Sequence, residues 1–140
     1  MAKAKVQDVF DSPIDRVWGL IKDFGDISAW APDAKVTKLN GKGVGMIRHV
    51  ESEVGYFNER CEAYDDHSHS FSYSLVESPV PVKNYYATVT LTEKDADSCK
   101  IEWSSNFQPV NISEDEIVKL VEDAYGVFIE NIKNALKSNG

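Results

Sequence analysis

Basic side chains are scarce: 15 Lys and Arg stand against 23 Asp and Glu, for a formal charge of −8. An acidic balance of this size argues against nucleic acid and other phosphate-rich partners, which need a basic face. Cysteine is scarcer still. Cys61 and Cys99 are far apart and form no CxxC pair, so a disulfide framework and a cysteine-based metal site are excluded and reduced thiols are expected. No apolar run approaches the roughly 20 residues of a membrane span, and the basic start "MAKAKVQDVF" is followed by no apolar core of a secretory leader. These absences predict a soluble cytoplasmic protein, a monomer or a weak homodimer. Repeats, low-complexity tracts and linkers are missing too, so residues 1–140 read as one domain with room for a core and a cavity.

What is present is a run of short β-favouring segments between two helical patterns. "KVQDVF" alternates as a strand. In "DSPIDRVWGLIKDFGD", Ser12 is suited to cap a helix, Pro13 to occupy its first position and Asp15 its first turn. Ile14, Val17, Trp18 and Ile21 give that helix one buried stripe, and Gly25 is placed to end it. "DISAWAP" predicts a second short helix stopped by Pro32.

From Lys35 to Gln108, six β-favouring runs are separated by short turn signals, the pattern of an antiparallel meander. The closing segment "SEDEIVKLVEDAYGVFIENIKNALKS" opens on a capping box, Ser113 with Glu116. Ile117, Leu120, Val121, Ala124, Phe128, Ile132, Ala135 and Leu136 mark one apolar face. A helix over residues 114–137 extends roughly 36 Å, enough to cross the whole sheet.

One strand carries a chemical anomaly. In "YFNERCEAYDD", alternation puts Phe57, Glu59, Cys61 and Ala63 on one face, the more apolar one, with a carboxylate in its middle. A buried carboxylate without a partner is costly, so something must compensate Glu59. Arg48 on the preceding run is the candidate if it faces inward, and the resemblance described below adds Tyr73 and Tyr85, beside Ser105, to complete the shell. Three roles are open for the pair: orienting a ligand's polar group, a purely structural contact, or acid–base catalysis with Glu59 moving a proton and Arg48 or Tyr73 stabilising an oxyanion.

The order of strand, two short helices, six strands and long helix resembles the START-related helix-grip superfamily, which includes polyketide cyclase/dehydrase-like proteins, birch-pollen-type allergens and abscisic acid receptors. The resemblance rests on "SPIDRVWGLIKDFGDISAWAP", "NERCEAYDD", "VKNYYATVTL" and the closing amphipathic helix. It implies an α+β helix-grip fold: a seven-stranded antiparallel curved sheet wrapped around a long C-terminal helix, with two short helices after the first strand. It also implies a cavity for a small hydrophobic molecule, a lipid, polyketide or aromatic compound, without a cofactor. Carried over residue by residue, the cavity positions correspond to Arg48, Glu59, Tyr73, Tyr85 and Tyr125; Trp30 stands where the family's second short helix meets the cavity mouth, and Ser105, alternating with Ile101, Trp103 and Phe107, joins the expected lining. Where the hormone receptors place a carboxylate-binding lysine, this chain has Ala31. The alternative the resemblance implies is a cyclase or dehydratase using Glu59 and Arg48.

The remaining features have plainer readings. Trp18 belongs to the helical stripe, and Trp103 lines either the core or the cavity floor. "DDHSHS" gathers Asp65, Asp66, His67 and His69 yet reads as a hairpin turn rather than a metal site. His49 points away from the cavity if Arg48 points in. Pro79, Val80, Pro81 and Val82 make a stiffened loop, read as a hairpin connection or as an apolar lip at the cavity entrance that closes over a ligand or meets a partner.

Overall fold

The computed structural model describes residues 1–138. β1 (Ala2–Phe10) is followed by α1 (Ile14–Ile21), six further strands and α2 (Glu114–Ser138). The strands are β2 (Lys35–Asn40), β3 (Ile47–Ser52), β4 (Gly55–Asp65), β5 (Ser70–Glu77), β6 (Val82–Asp95) and β7 (Ser98–Pro109). All seven form one antiparallel sheet in the order β1-β7-β6-β5-β4-β3-β2, the expected meander with the first strand closing against the last. This is the helix-grip fold. No helix among the described residues is long and apolar enough to cross a membrane.

α2 begins as its capping box requires, with the Glu116 amide donating to Ser113 Oγ at 3.2 Å. Its sheet-facing residues are Ile117, Val121, Tyr125, Ile129, Ile132 and Leu136, a stripe advancing by four and three residues. That differs from the expected face. Leu120, Ala124 and Phe128 lie on an adjacent stripe that covers a cavity instead, and Leu120 is half exposed. Polar ties fix the helix in place: Lys133 Nζ meets Asp8 Oδ2 of β1 at 2.8 Å, and Arg16 Nη2 of α1 donates to the Leu136 carbonyl at 2.7 Å.

The front of the chain departs from expectation in three places. Ser12 does not cap α1; Pro13 takes that position, with no side-chain hydrogen bond, and its carbonyl receives the Arg16 and Val17 amides. α1 ends before Gly25, where a Cβ would stand 2.8 Å from Cδ1 at the tip of the half-exposed Leu39 side chain. The segment expected as a second short helix forms turns. Asp26 Oδ1 captures both the amide and the hydroxyl of Ser28, a local bond that competes with helix, and the Ala31 amide makes an isolated bond to the Ile27 carbonyl. Asn131 Nδ2 then holds the Trp30 carbonyl at 2.9 Å and pins these turns against α2.

Candidate functional site

A cavity of about 410 Å³ lies between the inner face of β3 to β6, the Ile27–Ala34 turns and α2. Each wall follows from strand or helix periodicity. β3 contributes Val50 and Ser52, β4 Phe57 and Glu59, β5 Tyr73 and Leu75, and β6 Tyr85, each pair two residues apart on one face. The turns add Ile27, Trp30, Ala31 and Ala34. From α2 come Leu120, Ala124, Val127 and Phe128, with Val121 and Tyr125 shared between cavity and core. Val54, Leu120 and Val127 are exposed as well as cavity-lining and so mark its mouth.

Glu59 faces inward, as alternation predicts, and stands directly opposite Arg48 in the β3–β4 register. Arg48 Nε donates to Glu59 Oε1 at 2.7 Å, and Nη1 donates to the Phe24 carbonyl at 2.9 Å. The guanidinium carbon sits 3.9 Å from the centre of the Phe24 ring, with Trp30 and Tyr73 rings near 5 Å. Arg48 is sealed from the cavity, its side chain only 1% exposed, while Glu59 at 12% forms part of the wall. Glu59 therefore screens the arginine from any occupant. Beyond Cys61 the β4–β5 register shifts, which turns Ala63 out to solvent against the expected alternation.

The other expected residues divide. Trp30, Tyr73, Tyr85 and Tyr125 line the cavity; Ser105 lies behind the wall, buried beside Tyr125 with no well-formed hydrogen bond of its own. Trp103 is core, but its indole donates to the Tyr73 hydroxyl at 3.1 Å and stacks 5.5 Å from Tyr125. The Tyr85 and Tyr125 hydroxyls share a hydrogen bond. Burial pushes all three tyrosines up, Tyr73 and Tyr85 well above the usual phenol range and Tyr125 to about 12, so they are neutral at physiological pH.

In the entrance loop only Val80 lines the cavity. Pro79 packs on the β3–β4 hairpin, where its Cγ lies 3.2 Å from the place a Cβ on Gly55 would take. Pro81 anchors the loop through its carbonyl, which accepts the Val110 amide at 2.9 Å, and Val82 opens β6. In the histidine-rich turn Asp65 Oδ1 accepts the His67 and Ser68 amides locally, while Asp66 accepts the Trp18 indole at 2.7 Å and His69 Nε2 lies 3.4 Å from Asp15 Oδ1, both ties to α1. His49 points away from the cavity, between Asn40 and Asn58.

Sequence reasoning passed over the apolar walls, Val50, Phe57, Leu75 and Ala34 among them, because an apolar inward residue reads the same whether it meets a core or a void. A signal existed in α2. Leu120 and Val127 with Ala124 form a second apolar stripe beside the first, wider than one sheet contact needs.

A curved sheet gripping a long helix around a mostly apolar cavity defines a protein of the helix-grip class. The comparisons agree. The model of the family described as polyketide cyclase/dehydrase and lipid transport matches residues 1–137, and the chain belongs to that family. It is 31% identical over 100 residues to abscisic acid receptor PYL6 of Arabidopsis thaliana, a match covering 66% of this chain and 46% of the receptor, about half of that longer protein. Among solved structures, an uncharacterised protein from Bacillus thuringiensis superposes with a TM-score of 0.85 at 27% identity, covering 96% of this chain and 98% of that one. The protein XoxI from Bacillus cereus superposes with a TM-score of 0.86 at 27% identity, covering 96% and 95%.

Proposed function

We propose that this protein binds a small hydrophobic molecule, lipid-like, polyketide-like or aromatic, in the cavity between sheet and α2. The observation that carries the reading is the cavity's size and lining: about 410 Å³, walled almost wholly by aliphatic and aromatic side chains, with one carboxylate among them. Pockets for small organic ligands share that size range and that pattern of apolar walls with few polar anchors. The family's description, which includes lipid transport, and the hormone-receptor relative support the same reading. Trp30, Tyr73, Tyr85 and Tyr125 supply contact area, Glu59 is the polar anchor, and Arg48 acts through Glu59 rather than on the ligand. The loop from Pro79 to Val82, with Val80 inward, is the lip.

Native mass spectrometry before and after denaturation tests this reading. A small molecule bound at one per chain and released on unfolding is expected. A ligand-free mass together with no uptake of added hydrophobic compounds would overturn it.

A second reading, proton transfer by Glu59 on a bound carbonyl compound, draws on one observation: Glu59 Oε2 accepts no hydrogen bond among the described residues. Its test is turnover by Glu59→Gln, which must fall by about a hundredfold or more if Glu59 is the general base.

A further inference from the structure

We propose that the cavity selects hydrophobic molecules that present a hydrogen-bond donor, as an alcohol or ammonium group, and rejects carboxylates. The inference rests on the cavity reading above and names the ligand chemistry of that same site. The lining contains no Lys, Arg or His, and Glu59 is its one charged side chain. Arg48, the nearest cation, cannot serve an acidic ligand: Nε is bonded to Glu59, Nη1 to the Phe24 carbonyl, and Nη2 is buried without a partner and out of reach.

The remaining polar groups are largely occupied. Ser52 Oγ donates to the Gly55 carbonyl and accepts the Val54 amide. Tyr73 accepts the Trp103 indole and keeps its own proton, and one of Tyr85 and Tyr125 donates to the other. The open acceptor, and the one that carries charge, is Glu59 Oε2. A donor on the ligand would complete it, and an ammonium would add charge attraction to the carboxylate. A carboxylate would bring a second negative charge beside Glu59 in a water-poor space, and the neutral phenol protons of the wall cannot offset that repulsion.

The test is titration calorimetry at neutral pH with four compounds sharing one apolar body: naphthylmethanol, naphthylmethylamine, methylnaphthalene and naphthoic acid. The alcohol or the amine is expected to bind at least about tenfold tighter than the acid, with methylnaphthalene between. The ratio of amine to alcohol separates recognition of charge from recognition of a neutral donor. Naphthoic acid binding as tightly as the alcohol, or methylnaphthalene matching both donors, would overturn the selection while leaving the cavity reading intact. Binding of none of the four would overturn both. In Glu59→Gln, which keeps an acceptor for Arg48 Nε, naphthoic acid should gain about tenfold and the amine lose about tenfold. An unchanged ranking would contradict the role given to Glu59, and the ranking in the unaltered protein stands as a separate test should that variant fold poorly.

Discussion

Arg48 and Glu59 face each other across β3 and β4 with Nε and Oε1 2.7 Å apart, and the arginine lies on the sealed side of the pair. The arrangement reconciles a charged pair with an apolar interior. One carboxylate oxygen accepts from the guanidinium, leaving the other to face the cavity.

The pair's energetics are asymmetric. Removing one partner strands a buried charge, whereas removing both does not. Arg48→Ala is expected to destabilise by about 3–5 kcal/mol. The double substitution Arg48→Met with Glu59→Leu should recover most of that loss. Urea denaturation of the single and double variants checks this, and a double variant no more stable than Arg48→Ala would contradict it.

The buried tyrosines predict a steep alkaline limit. Tyr73, Tyr85 and Tyr125 titrate higher in the folded protein than the ordinary phenol value near 10, with burial the main cause in each. Their contribution is fully present below pH 10 and is lost as pH rises, because the unfolded chain then releases protons that the folded one retains. Between pH 10 and Tyr125's value of about 12, each should cost about 1.4 kcal/mol of stability per pH unit. Tyr56, Tyr64 and Tyr86 are exposed and can ionise in the folded protein, so the second half of the tyrosinate absorbance, from the three buried rings, should appear only together with the loss of far-ultraviolet circular dichroism. All six tyrosines ionising while the fold persists would show the buried hydroxyls open to solvent.

Gly55 holds φ at +133°, a left-handed value that penalises side chains, and a Cβ there would press on Pro79 of the entrance loop. Gly55→Ala is expected to lower stability by about 1–3 kcal/mol and to alter ligand exchange by displacing the lip. Thermal unfolding and stopped-flow binding measure the two effects; unchanged stability would count against the strain.

Much of the fold was legible in the sequence. Strand alternation and turn residues gave the meander, Ser113 and Glu116 marked the start of α2, and one carboxylate on an apolar strand face pointed to an inward Glu59 with Arg48 opposite. Local competition hid the rest. Asp26 bonding Ser28 replaced a helix with turns, and the shifted register after Cys61 reversed Ala63. On α2, hydropathy ranks Leu120 above Tyr125 for the core, whereas Tyr125 is buried against Trp103 and Leu120 stands at the cavity mouth. Apart from the second stripe on α2, periodicity does not separate a residue facing a void from one facing the core, so Tyr73, Tyr85 and Tyr125 came from resemblance and Val50, Leu75 and Ala34 only from the structure.

The most direct test of the cavity as a binding site fills it from within. Ala124 faces the void from α2, so Ala124→Phe projects a ring into open space and should leave the thermal midpoint unchanged or raised. Calorimetric titration of both proteins with naphthylmethanol is the decisive measurement: saturable binding of one molecule per chain to the unaltered protein and none to a folded Ala124→Phe variant is the predicted result. Equal binding by the two, or no binding by either, would contradict it.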